Sequence, residues 1–237
     1  MVHGKSTLSR LIAGITLPSK GSILVNGIDV SDKSKFIDLR KNIGIVFQNP
    51  ENQIVFDKVY DDIAFGMKNI HFENNLIHTA IENSLNKVNM SDYIYSDSHA
   101  LSLGQKQRIA IASSLAIDPK ILIFDEPTAM LDPKGKKDIC NIIKNIHNEG
   151  YTIIYVTNVI DEILLADRII GLENGCIKHE FQKNDIWDNI NVLEEMELEL
   201  PSIFEIILGL KSKGIDVDIS EFNIPCFVNK LAELIKK

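Results

Sequence analysis

The sequence predicts an α/β fold in which helices flank a parallel sheet. Three observations predict it. Short apolar runs alternate along the chain with stretches of helical periodicity. Apolar residues make up 45% and aromatics only 7%, so Ile, Leu and Val carry the core, as in strands buried on both faces. A Gly4-Lys5-Ser6-Thr7 stretch opens one helical segment, and the apolar run 121–125 ends on an acid pair, Asp125-Glu126. That places polar chemistry where strands end and helices begin.

The elements follow in order. Residues 5–14 read as a helix. "GSILVNGIDV" (21–30) reads as a hairpin arm turning at Asn26-Gly27. "NIGIVF" (42–47), "ILIFD" (121–125), "TIIYVT" (152–157) and "RIIGL" (168–172) are short, rich in β-branched residues and bounded by turn or charged residues. "ENG" and "CIKHEF" after the last of these read as a turn and a return strand. Between Pro50 and about Asp97 the pattern becomes helical and more polar, which predicts a helical insertion. Further helices are expected over 104–117, 135–149 and 159–166. After about Phe181 the chain becomes an amphipathic appendage of two or three helices, linked by "IDVDISEFNIP". Within it "LEEMELEL" (193–200) reads as a solvated helix face. Ile54, Val55, Phe56 and Val59 read as mostly core of the insertion, with a partner-facing stripe as the alternative.

The 237 residues suit one large domain plus an appendage. A net charge of −8 argues against nucleic acid or anionic lipid as a bulk partner. The three cysteines form neither a disulfide framework nor a metal spacing, which fits a reducing cytosol. The six histidines show no ligand spacing either. No stretch resembles a signal peptide or is long enough to span a bilayer. Any membrane role must come through a partner.

Three motifs carry chemistry. Gly4-Lys5-Ser6-Thr7 matches the end of the phosphate loop G-x-x-x-x-G-K-[ST]. Gly4 permits close backbone approach, Lys5 reaches phosphates, Ser6 ligates Mg²⁺, and the helix N-terminus points its N–H groups at the anion. "ILIFDEP" (121–127) delivers Asp125 and Glu126 to the carboxyl end of a buried strand, where open α/β sheets bind ligands. There Asp125 suits Mg²⁺ through water, and Glu126 suits a water-polarising base. "LSLGQKQR" (101–108) opens a helix with Ser102 as an N-cap type, Gly104 for close approach and Gln105 as a polar arm. Each motif alone has an ordinary reading: a helix start, a solvated acid pair, a plain N-cap.

Taken together, the order GKST, "VFQNPE" with Gln48, "LSLGQ", "ILIFDEP", "AMLDP" with Asp132, and "VTN" resembles the nucleotide-binding subunits of ABC transporters. The resemblance covers essentially the whole chain. It implies a P-loop NTPase with a RecA-like parallel sheet core, an ABC helical subdomain at about 50–115 and a small C-terminal helical extension. Residues 1–182 would form the ATPase domain, and 183–237 an extension that contributes to dimer contacts. ATP and Mg²⁺ are the implied cofactors. Two such chains would pair head to tail, as a homodimer or heterodimer. Gly4, Lys5, Ser6 and Thr7 would bind phosphates, and Ser6, Gln48 and Asp125 the Mg²⁺. Glu126 would be the general base. Gln48 would place the attacking water and report to integral membrane subunits. Asp132 would link the two sites. Ser102, Gly104 and Gln105 would complete the partner's site. The expected location is the cytoplasmic face of the membrane. "FQNPENQIVFDKVYDDIAFG" and "LELPSIFEIILGLKSKGIDV" are similar to energy-coupling factor ATPases, which power uptake of vitamins and transition metals.

The chain departs from the family pattern in places. The family's strands ahead of the phosphate loop would precede Met1, so the reading is of a truncated N-terminus. Val2 stands at a position often glycine. Asn158 stands where the family usually has histidine, and an amide donates a hydrogen bond but carries no positive charge. Leu103 replaces the first glycine of the usual signature. These departures support an alternative function. The chain would then be a non-catalytic partner, or a remnant, that lends its LSLGQ segment to a paralogous ATPase.

Overall fold

β4 (Ile121–Asp125) organises the fold. It pairs in parallel with β3 (Ile43–Val46) on one side and β5 (Thr152–Val156) on the other, giving the sheet order β3-β4-β5. The computed structural model describes residues 4–196, 198 and 200–213. Within these, residues 4–156 pack as one unit and residues from 157 onward as another.

β4 shows why its run is continuously apolar. Leu122 and Phe124 enter one core cluster while Ile123 enters another, so alternation buries both faces. The larger cluster lies under α3 (Val59–Asn69), α4 (Ile77–Lys87), α5 (Leu103–Leu115) and α6 (Pro133–Asn148). Ile63, Ile81, Leu85, Ile109 and Ile111 in it are fully buried. Each such side chain contributes about 1.5–3 kcal/mol. The smaller cluster joins Ala13, Val25, Leu39 and Ile43 on the opposite face.

α1 (Lys5–Ile12) starts at Gly4, whose φ of 82° is left-handed and favours glycine. α1 contacts β4 and β5. Arg40 of α2 (Phe36–Asn42) closes its other end by donating to the carbonyls of Ala13 (2.9 Å) and Gly14 (3.4 Å). The hairpin expected at 21–30 forms as β1 (Leu24–Val25) and β2 (Ile28–Asp29), turning through Asn26 and Gly27 at φ 50° and 78°.

The stripe at 54–59 divides. Val59 is fully buried and Ile54 packs against the core, but Val55 is 71% and Phe56 38% exposed. The stripe is therefore core at Ile54 and Val59 and surface at Val55 and Phe56. Asp62, one turn into α3, accepts from the N–H groups of Val55 (2.7 Å) and Phe56 (3.1 Å) and fixes the loop with these two side chains outward.

In the second unit, α7 (Ile160–Ile163) is shorter than its apolar pattern suggested. β6 (Arg168–Glu173) and β7 (Cys176–Gln182) form the expected antiparallel hairpin. α8 (Ile190–Glu195) and α9 (Ser202–Ser212) belong to the appendage. Ile169, Phe181, Ile190, Leu193 and Phe204 form its core, and Trp187 stacks on Phe204 with centroids 4.9 Å apart. The run at 193–200 is not a solvated helix face. α8 ends at Glu195, Leu193 is fully buried, and Leu198 and Leu200 pack on the same core. Leucines at those positions join Ile169, Phe181 and Phe204 in a small core. Met1–His3, including Val2, and the last predicted helix lie outside the described residues.

Candidate functional site

Two segments far away in sequence meet the end of β4. Ser6 Oγ, in the first turn of α1, donates to Asp125 Oδ1 at 2.9 Å across 119 residues. Gln48 Nε2, just beyond β3, donates to Glu126 Oε2 at 3.2 Å across 78 residues. Asp125 is buried, while Glu126 is partly exposed and Gln48 exposed. Lys5 lies in the field of both carboxylates. Burial pulls its pKa below the ordinary 10.5, and Glu126 and then Asp125 pull it back up. Gly4 caps α1, and Thr7 is exposed beside Ser6.

Glu126 also holds an unusual backbone. Its φ of 51° is left-handed, which costs a non-glycine residue about 1–3 kcal/mol. Its N–H donates to Val156 O at 3.0 Å, carrying the β4-β5 ladder one step past the strand. Strain of this kind persists where surrounding structure over-determines it, and such positions cluster at functional sites.

The LSLGQ residues occupy another face of the same unit. Ser102 is the N-cap of α5: its Oγ accepts from Gln105 N at 3.4 Å, and Gln105 Oε1 accepts from Ser102 N at 2.9 Å. This reciprocal box satisfies two N–H groups that a helix start leaves unpaired. Gly104 sits inside that first turn. Asp132 caps α6 in a similar way, accepting from Gly135 N at 2.9 Å. All four residues, with Met90 and Tyr93, line a cavity of about 530 Å³. Two helix N-termini thus open on one cavity, an arrangement that favours an anion.

Asn158 belongs to the second unit and is exposed. The flanking turn is set by Thr157, whose Oγ1 accepts from Val159 N at 2.9 Å and donates to the buried carboxylate of Glu162 at 2.5 Å.

Several supporting residues escaped the sequence reading. Gln53, Asp62, Gln107 and Glu162 hold loops through partly buried hydrogen bonds. The only signal for them is a polar residue at an otherwise apolar register, which sequence cannot tell from a solvated one. Among the described residues no cluster of three His, Cys, Asp or Glu forms a metal site. None of their helices is long and apolar enough to cross a membrane.

Residues 3–129 match the ABC transporter family model. An energy-coupling factor transporter ATP-binding protein, EcfA1, of Clostridium novyi (strain NT) is 40% identical over 98% of this chain and 83% of its own length. The chain belongs to the ABC transporter family, among the energy-coupling factor ATP-binding proteins. Members of the family bind and hydrolyse ATP, and so the chain is an ATPase subunit. The EcfA1 protein of Oceanobacillus iheyensis is 42% identical over 92% of this chain and 78% of its own. Among solved structures, CbiO1 from Clostridium perfringens, part of the ABC transporter complex CbiONQ, is similar at 35% identity with a TM-score of 0.71. The match covers 86% of this chain and 82% of that one. The ATP-binding cassette MJ0796, in a dimeric post-hydrolysis state with ADP and phosphate, matches with a TM-score of 0.68 at 26% identity. That match covers 76% of this chain and 81% of the other. The P-loop α/β fold is therefore the family's fold.

Proposed function

We propose that this chain hydrolyses ATP at the carboxyl end of β4 and thereby drives uptake of a small molecule or metal ion by an energy-coupling factor transporter. The observation that carries the proposal is the convergence of Ser6 on Asp125 and of Gln48 on Glu126. Four side chains from three segments meet where an open α/β sheet binds its ligand.

The roles follow from chemistry. Gly4, Lys5, Ser6 and Thr7 receive the phosphates, with the N–H groups of α1 aimed at the anion. Glu126 accepts a proton from the attacking water as the terminal phosphorus–oxygen bond breaks, and Gln48 orients that water. Ser6, Asp125 and the amide oxygen of Gln48 are hard oxygen donors that fit Mg²⁺. When bound, Mg²⁺ neutralises charge on the transferring phosphate. Asn158 supplies a neutral hydrogen bond in place of a charged one.

A second ATPase chain, identical or paralogous, would place its phosphate loop against Ser102, Gly104, Gln105 and Asp132. The cavity there, flanked by two helix N-termini, supports that assignment. Val55, Phe56 and Phe65 form an exposed apolar patch, with the Phe56 and Phe65 rings 5.0 Å apart and tilted by 48°. They suit an integral membrane subunit at the cytoplasmic face. Residues 183–213 and beyond would add contacts between ATPases.

The test is ATP hydrolysis and solute uptake by the transporter complex carrying Glu126→Gln. Both should be lost while ATP binding persists. Full hydrolysis by that variant would move the catalytic base elsewhere.

A further inference from the structure

We infer that Gln107 is a positioning residue that ties the helix carrying Ser102, Gly104 and Gln105 to Gln48, so that a shift of either moves the other. The β3-β4 ladder stops at Val46 paired with Phe124. Phe47 lies one step beyond it and immediately precedes Gln48. Two glutamine side chains take the place of a strand neighbour there. Phe47 N donates to Gln53 Oε1 at 3.2 Å, and Phe47 O accepts from Gln107 Nε2 at 3.3 Å. Gln48 therefore follows a residue whose N–H and C=O are both held by side chains, and the peptide unit that leads into Gln48 is held by the one from α5.

α5 grips the same segment at further points. Gln53 Nε2 donates to Ala110 O at 3.3 Å, to Ser114 Oγ at 3.4 Å and to Ile45 O at 3.2 Å. Ser114 Oγ itself donates to Ile45 O at 2.9 Å. Lys106 Nζ meets Glu51 Oε1 at 2.6 Å. Gln107, Ala110 and Ser114 share one helix face by their spacing. That face lies directly on β3: a Cβ added at Gly44 would stand 3.0 Å from Ser114 O. Glycine at this position removes any side-chain cushion between helix and strand.

Gln107 is also not a choice that stability alone requires. It is fully buried, and among the described residues its Oε1 accepts no hydrogen bond. A buried acceptor without a partner costs stability, and Met of similar volume would remove that acceptor while giving up the donor to Phe47 O, so the two changes offset. What glutamine adds is the single bond to Phe47 O.

The inference rests on Gln48 and Glu126 acting as proposed above. Its test is Gln107→Met in the full chain within its transporter complex, measured beside Gln48→Ala and the double variant. Gln107→Met should lower kcat about tenfold, with KM for ATP within about twofold and Tm unchanged within about 2 °C. In the Gln48→Ala background Gln107→Met should slow hydrolysis no further. A normal kcat, a loss of kcat that accompanies a drop in Tm, or independent effects in the double variant would each overturn the inference. If Gln107→Met does not accumulate as folded protein, Gln107→Asn is read in the same way, since its amide falls short of Phe47 O. A Gln48→Ala variant with normal rate defeats the reading of Gln48 and this inference with it. A slowed Gln48→Ala beside a normal Gln107→Met defeats the inference alone.

Discussion

The end of β4 and the cavity face at α5 are built by opposite means. At β4 the bonds are long in sequence: Ser6 to Asp125 and Gln48 to Glu126. At α5 and α6 they are local: Ser102 with Gln105, and Asp132 with Gly135, are each three residues apart. The first site exists only when the sheet is assembled. The second is written into each helix start and needs only the helix. One is suited to chemistry, which demands several groups at fixed distances. The other is suited to presenting N–H groups to something outside the chain.

Predictions sharpen this contrast, beginning with the largest effect. Glu126→Gln keeps the size of the side chain but removes the proton acceptor. Hydrolysis in the complex should fall by about 10²–10⁴-fold, with thermal unfolding nearly unchanged. A variant that also melts early would show that the carboxylate serves the fold instead. Ser102→Arg should likewise abolish hydrolysis in the assembled complex, because a long cation enters the cavity face. Ser102→Ala should cost about 0.5–2 kcal/mol of stability, the value of one lost N-cap, in urea unfolding. If Ser102→Arg hydrolyses normally, that face does not meet a nucleotide.

Asp62 gives a smaller effect with a defined sign. Burial raises its pKa above the ordinary 3.8, and the N–H groups of Val55 and Phe56 only partly oppose this. The folded state therefore holds the proton more tightly than the unfolded one. The associated stability is full below pH 3.8 and is lost as pH rises through the raised value. Asp62→Asn should remove that pH dependence, so its stability relative to the native chain should grow as pH rises from about 4. Urea unfolding across pH 4–7 reads this, and parallel curves for the two proteins would refute it. Asp62→Ala leaves two N–H groups without their acceptor and should cost about 1–3 kcal/mol.

Much of this was legible in the amino-acid order, and the reason is locality. Strand runs such as 121–125 carry their own pattern, and Asp125-Glu126 must then stand at the strand end. The hairpins at 26–27 and 174–175 announce themselves by Asn-Gly, whose left-handed preference fits the turn. The motif residues were readable for the same reason, since each sits at a helix start or strand end. What could not be read was which polar residues inside helices face inward. Gln107 sits beside Lys106 and Arg108 in sequence, yet it alone is fully buried. The outward turn of Val55 and Phe56 was hidden too, because it depends on Asp62 capturing their N–H groups. Leu193 stands in an acidic run that reads as solvated, and only the small core beside it explains its burial.

The sequence by itself determined the parallel sheet, the helix starts and the hairpin turns. Each of these depends on periodicity or on the conformational preference of one or two residues. Tertiary structure alone decided which side chains meet, that Glu126 takes a left-handed backbone, and that Phe47 is clamped between Gln53 and Gln107. Those outcomes depend on burial and on hydrogen bonds between distant segments. A buried polar group must find whatever partner the packing brings to it, and that partner is not written beside it in the chain.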